Sequence, residues 1–311
     1  MNKHCVGIVI KDRWDLTYQT LMSLYYCSQS SFDLILIDNG SSSENLDNLK
    51  EWMESGLIPV KNLFCLPETP LATAWNLFLA MSKDYRYRTK MDNDLRFFNT
   101  PVAHVKPLEL QPVSPAKKMA TPMMTGTNPG ATPVASFVKG AGRQHTKKSS
   151  QRTHSAFLDH MELYHKRVTA DLIALVPVSP KENFAATYKK LHTVTYKDMP
   201  YLFGACMLIT KKCFDKLGYF DERLPRKIDI EYSQRALRNG INISYHDFYW
   251  VSHIGARQST DDQAARDEKY RQALFIQDSE PPVECYADSE WELILPKIQK
   301  LAQENKVVTF K

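Results

Sequence analysis

A chain of 311 residues with 43% hydrophobic and 24% charged residues has an ordinary globular composition and enough length to bury a large core. Its longest apolar runs, at 6–10, 34–37 and 172–178, are of strand length and too short to cross a bilayer, and a strand pattern starting at the N-terminus leaves no room for a secretory signal. The six cysteines are scattered without C-x-x-C pairs, which excludes a disulfide framework or a zinc ribbon and predicts reduced thiols in a cytoplasmic protein.

Residues 5–10 form a continuous apolar run, as in a strand buried on both faces of a parallel sheet. A helix is predicted over 14–26 from Leu16, Leu21, Leu24 and Tyr25, then a second buried strand over 32–37 that runs into Asp38-Asn39-Gly40. A helix over 46–53, a short strand at 63–66 and a helix over 71–81, with Pro70 at its start, follow. The next strand carries Met91-Asp92-Asn93-Asp94. Periodicity then dissolves over 100–155, a stretch rich in Pro, Thr, Ser, Lys and Gly. It returns with a helix at 157–168, a strand at 171–178, an apolar segment at 201–209 and a helix over 212–217. A helix over 230–238 ends at Asn239-Gly240, a good C-cap. Strands at 241–245 and 248–251 lead to His253, and helices are predicted over 258–277 and 291–303, the last a plausible contact surface.

The alternation of strands and helices in the first half predicts an α/β fold with a Rossmann-like doubly wound sheet and right-handed crossovers. Ligands of such sheets bind beyond the carboxyl ends of the strands, where Asp12, Asp38 and Asp92 fall. Asp92 and Asp94, two residues apart at the end of a strand, suit a hard divalent ion, which typically takes one or two carboxylates plus substrate phosphates. Acidic residues after a strand also serve as turn formers, and both readings apply here.

Taken together in their order, these pieces resemble the inverting glycosyltransferases of family 2, of GT-A fold, over roughly residues 4–255. The run 6–13 resembles that family's first strand and its nucleotide-contacting turn, and Leu34–Ser42 its second strand, whose terminal Asp contacts the base. Ala72 to Asn76 resembles a small-x-x-x-Asn helix packed beneath the diphosphate, and Met91-Asp92-Asn93-Asp94 occupies the D-x-D position. Phe203-Gly204-Ala205-Cys206 through Gly218-Tyr219-Phe220-Asp221-Glu222 resembles the acceptor-side segment. Asp229-Ile230-Glu231, Arg235 and Gly240 keep the spacing of the family's acidic stretch, with Ile228 where its first acid usually stands and Glu231 in place of an Asp. Lys11-Asp12 departs from the family's usual pair before Arg13.

The resemblance implies a nucleotide-sugar-binding half over 1–99, a basic insertion at 100–155, a catalytic and acceptor half over 156–257, and a C-terminal helical extension over 258–311. It implies a nucleoside-diphosphate sugar, UDP-linked in the first instance, bound by Asp12, Arg13, Asp38, Asn76, Asp92, Asn93, Gly204 and Ala205. A Mn2+ or Mg2+ ion would sit on Asp94, with Asp92 and His253 completing its shell, and the ion would neutralise the leaving diphosphate. Inversion needs one general base, which falls to Asp229 with Glu231 in reserve. Plainer uses exist for the same residues: a helix cap for Asp229, a turn for Asp38 and a structural imidazole for His253.

The acceptor is approached through charge. The chain carries net +5, but residues 100–155 hold eight basic residues against Glu109 alone, so the rest of the chain is slightly acidic. Lys117, Lys118, Arg143, Lys147, Lys148 and Arg152 form an electrostatic footprint for a polyanion. This points to a hydroxymethylated pyrimidine in double-stranded DNA, as in bacteriophage DNA modification, where the base must be extruded. The alternative is cell-surface polysaccharide or lipopolysaccharide synthesis. A reading of another class is a non-catalytic nucleotide-sugar or carbohydrate-binding module.

Overall fold

The computed structural model describes residues 3–27, 31–97, 157–178, 184–224, 227–253 and 288–307. Its first half runs β1 (His4–Ile10), α1 (Trp14–Cys27), β2 (Asp33–Asn39), α2 (Ser43–Glu54), β3 (Val60–Leu66), α3 (Leu71–Met81) and β4 (Tyr87–Asp92). These strands lie in the order β3-β2-β1-β4, all parallel, as expected of three successive β-α crossovers. β1 is buried along its whole length. Val6, Ile8 and Ile10 pack with Leu21 and Leu24 of α1, whereas Cys5 and Val9 pack on the other side with Trp75 and Phe78 of α3. Between them Gly7 has a packing reason: a Cβ there would fall 2.3 Å from the Phe78 ring, so only glycine lets α3 lie this close to the strand.

The second half adds β5 (Leu95–Phe97), α4 (Phe157–Val168), β6 (Leu172–Val178), α5 (Phe184–Thr193) and a small ribbon, β7 (Thr195–Tyr196) with β8 (Met199–Pro200). Then come β9 (Cys206–Thr210), α6 (Lys211–Leu217), α7 (Ile228–Arg238), β10 (Ile243–His253), α8 (Asp288–Asn305) and β11 (Lys306–Val307). Among the described residues one nine-stranded mixed sheet results, in the order β11-β3-β2-β1-β4-β9-β6-β10-β5. β9 runs antiparallel between β4 and β6, and β5 and β11 are antiparallel at the two edges. Apolar clusters lie on both faces, one under α1, α2 and α4, the other under α3, α6, α7 and α8. This is the doubly wound, mixed α/β architecture expected.

Several boundaries depart from the periodicity. The two strands predicted at 241–245 and 248–251 are one strand, β10, whose ladder with β6 shifts register between Tyr245 and Trp250; this irregularity within one strand breaks the pattern. The segment predicted from residue 201 becomes a strand only at Cys206, because 201–205 form a connection against the end of β4. The C-terminal helix is longer than predicted and packs inward on α3 and β3, with Ile298 and Ala302 in the core, so that face is covered within the chain itself. The helix predicted over 258–277 and the insertion 100–155 lie outside the described residues.

Candidate active site at the carboxyl ends of the strands

β1, β2 and β4 finish side by side: Ile10 pairs with Asp38, and Val9 with Asp92. Beyond Asp92 the chain turns, and the turn is bolted to α1 by hydroxyls. Asn93 Nδ2 donates to Thr17 Oγ1 at 2.9 Å, Leu95 N to Thr20 Oγ1 at 2.8 Å and Phe97 N to Ser23 Oγ at 2.7 Å. This directs the chain into β5, which pairs with the end of β10 and sets Leu95 opposite His253. Asp94 and His253 meet as a consequence, with Nε2 3.1 Å from Oδ1.

Asp92, Asp94 and His253 each bring a ligand atom within 4.8 Å of the others. Asp94 is buried, and among the described residues its Oδ1 has the His253 imidazole at 3.1 Å and no other polar partner. A buried carboxylate is costly unless cations or donors satisfy its oxygens. Two carboxylates and an imidazole this close are a donor set that could hold a divalent metal ion. Burial opposes the charge of Asp94, but His253 and the Arg13 guanidinium, 3.2 Å from Oδ2, outweigh it and hold the carboxyl below its ordinary pKa. Burial likewise pulls the His253 imidazole down, and its contact with Asp94 more than reverses this, so its pKa is raised. Asp92 is part-exposed, and desolvation raises its pKa against the pull of Lys90, with a further push from Asp94.

Arg13 reaches the cluster from an unusual backbone. Asp12 and Arg13 both have positive φ, 49° and 58°, a conformation that residues with a Cβ hold only when their surroundings enforce it. Asp12 supplies the enforcement: its N–H donates to Ser41 Oγ at 2.7 Å, and its Oδ1 accepts from the Ser42 N–H at 2.7 Å. Asp12 thereby ties the β1 turn to the β2 turn. Asp38, buried at the end of β2, accepts from the Ser41 N–H at 3.2 Å through Oδ2, while Oδ1 has no partner among the described residues. It is a turn former and an unfilled acceptor at once.

On the other side of β4, Asp92 N donates to Ala205 O at 2.8 Å, and the Gly204 N–H donates to Asp229 Oδ2 at 2.7 Å. Asp229 sits in the first turn of α7 but does not cap it. That position belongs to Lys227, which is left-handed at φ 61° and makes no side-chain cap bond. The Asp229 carboxylate is instead turned toward the Gly204 connection. Two expected residues are not brought to the site. Both oxygens of Glu231 accept from Arg235 at 2.8 Å in a buried ion pair, and Arg235 also donates to the carbonyls of Leu217 and Tyr219. Glu231 is therefore no reserve base. Asn76 is fully buried and clamps Phe220 on both its N–H and its C=O, so it packs α3 against that loop and offers nothing to a ligand. The basic residues from Lys117 to Arg152 lie outside the described residues.

One residue escaped the sequence reading. Lys90, 4% exposed, places Nζ 2.8 Å from Asp92 Oδ1, 2.5 Å from Gly204 O and 4.4 Å from the Trp75 ring centre. Its signal was a lysine in a strand that pairs on both sides, where a buried ammonium occurs only with partners. A second possible ion-binding group, His4 with Asp159 and Glu162, starts at the opposite end of β1. Glu162 there is already held by Lys3 at 2.6 Å and Lys166 at 2.8 Å, which makes it a charge knot.

No protein-family model and no curated protein matches this chain. Solved structures do. Residues 1–349 of Staphylococcus aureus TarS in complex with UDP align with a TM-score of 0.51 at 12% identity, over 97% of this chain and 72% of that one. The mannosyltransferase PcManGT from Pyrobaculum calidifontis, in complex with GDP-Man and Mn2+, aligns with a TM-score of 0.49 at 12% identity, over 97% and 74%. Against a longer TarS chain this one spans 43% of the length, at 9% identity and a TM-score of 0.48. Identities this low speak of fold alone: the chain has a mixed α/β fold of the GT-A type, with Asp92, Asp94 and His253 gathered where its strands end.

Proposed function

We propose that this chain is an inverting glycosyltransferase that moves a sugar from a UDP-linked donor to an acceptor hydroxyl. The observation that carries it is the placing, at the carboxyl ends of neighbouring strands, of the Asp92–Asp94–His253 donor set with Arg13, the unfilled Asp38 oxygen and Asp229 anchored on Gly204. The fold shared with TarS in complex with UDP supports the choice of nucleotide. Asp38 Oδ1 would accept from a pyrimidine N–H. A Mn2+ or Mg2+ ion on Asp94, Asp92 and His253 would supply Lewis-acid neutralisation of the leaving diphosphate. Arg13 stands beside the same carboxylate and would orient the diphosphate. With Oδ2 fixed by Gly204, Asp229 would use Oδ1 to take the proton of the acceptor hydroxyl as it attacks the anomeric carbon. The direct test is release of UDP from a panel of UDP-sugars. Turnover should require the divalent ion and fall roughly 100-fold or more in Asp94→Ala. Activity indifferent to EDTA would remove the metal, and UDP binding without turnover of any sugar would favour a non-catalytic module.

The acceptor reading rests on the insertion, which follows β5 in the sequence. Its basic excess supports a polyanion, and we propose a hydroxymethylated pyrimidine in duplex DNA, the substrate of a bacteriophage-type modifying enzyme. Gel-shift affinity for duplex DNA should drop steeply between roughly 50 and 200 mM salt. No binding at the low-salt end, or a flat dependence, would shift the acceptor to a cell-surface glycan.

A further inference from the structure

Lys90 brings a positive charge onto Asp92, one of the residues proposed above to hold a divalent cation. Its ammonium is engaged on three sides: by Asp92 Oδ1 at 2.8 Å, by Gly204 O at 2.5 Å and by the face of Trp75 at 4.4 Å. It is buried, so solvent does little to dilute its field. Gly204 accepts from Lys90 through its carbonyl and donates to Asp229 through its N–H. A single bonded path therefore links Asp92, Lys90, Gly204 and Asp229, joining the ion-binding arm to the general base.

We propose that Lys90 is a positioning residue with two effects. It holds Asp92 and the Gly204 connection in register, and as a resident cation on Asp92 it competes with the divalent ion until the nucleotide arrives. The ion pairs give the reason for the second effect. Asp92 is already paired with Lys90 and Asp94 with Arg13, so an entering ion meets two resident cations on the carboxylates it would use. A nucleoside diphosphate brings the negative charge that offsets them. Ion and nucleotide should then each strengthen the binding of the other by the same factor. The inference rests on the glycosyltransferase reading above, but its sign is its own: a lysine of merely structural importance would weaken ion binding when removed.

The experiment is Mn2+ titration of the full chain, read by the free-ion paramagnetic resonance signal, for wild type and Lys90→Met, with and without UDP. Lys90→Met should bind Mn2+ at least tenfold more tightly than wild type without UDP, and the difference should narrow when UDP is present. At saturating Mn2+ the variant should still turn over UDP-sugar more slowly, at least fivefold, because the Gly204 connection is released. Equal or weaker Mn2+ binding by the variant without UDP overturns the inference while leaving the wider reading intact. If neither protein binds Mn2+ even with UDP, the metal reading fails and this inference with it. Lys90→Gln keeps a donor for the Gly204 carbonyl without the charge. It gives the same comparison should Lys90→Met lose its fold by circular dichroism, and a gain in Mn2+ affinity there would support competition by charge.

Discussion

Gly204 is the narrowest point of the site. A Cβ at this position would fall 2.8 Å from the Asp229 Cβ, closer than two such carbons approach, so even alanine forces the proposed base away from its anchoring N–H. Gly204→Ala is expected to cost about 1–3 kcal/mol of stability by overpacking. Its larger effect should be on turnover, at least tenfold, with a smaller loss of UDP affinity because Gly204 reaches Asp92 only through Lys90. Urea unfolding, UDP titration and UDP-sugar kinetics separate the three. Full activity in Gly204→Ala would mean that Asp229 is not the base. Asp12 teaches a related lesson: it fell at a strand end as predicted, but its carboxylate serves the neighbouring turn, and Arg13 is the side chain it delivers to Asp94.

Among the elements, those with a full period were legible and the shortest were not. β1 to β4 and α1 to α3 carry runs long enough to show alternation or helical spacing, and α3 and α4 match the predicted limits of 71–81 and 157–168. β5 has three residues and β11 two, too few for any pattern, yet β5 is what brings Asp94 to His253. The clue lay in α1, where Thr17, Thr20 and Ser23 recur at i, i+3 and i+6 like a solvent-facing stripe. All three are buried and hold the turn and β5. α8 was legible as a helix but not in its docking, since an amphipathic face does not say what covers it. Ile298 is fully buried in the cluster that also holds Trp75 and Phe78. Ile298→Ala should therefore cost about 2–5 kcal/mol in urea unfolding. A cost near zero would mean that α8 does not pack on α3 in solution.

At the scale of the whole molecule, the two ends of the sheet have different electrostatic work. The carboxyl ends gather a partly unsatisfied cluster, whereas the amino end of β1 is closed by Glu162 with Lys3, His4 and Lys166. Burial raises the Glu162 pKa, but its bonds to Lys166, Lys3 and His4 outweigh it and bring it to about 2, from an ordinary 4.5. A carboxyl depressed in the folded state contributes fully above the unfolded value and loses that contribution as pH falls through the folded one. The window is thus pH 4.5 down to 2, and with Lys3 and Lys166 half exposed the loss is about 2 kcal/mol. His4, which burial keeps neutral, adds acid sensitivity of the same sign. Unfolding measured across that window should show wild type losing more stability than Glu162→Gln; parallel curves would mean that the knot is not formed.

The sequence by itself determined the alternation of strands and helices, the placement of Asp38 and Asp92 at strand ends, and the order of motifs that resembles a GT-A glycosyltransferase. Those features are local, because a buried strand or an amphipathic helix writes its period into consecutive residues. Only the tertiary structure decided which carboxylates are available. Asp229 is held on Gly204 while Glu231, two residues on, is locked by Arg235; Asp94 faces His253 and Arg13; and Asn76 is consumed by Phe220. It also disclosed Lys90, whose meaning depends on three partners brought from β4, α3 and the connection before β9. Hydrogen-bond satisfaction and charge balance are properties of groups distant in sequence and close in space, and no reading along the chain contains them.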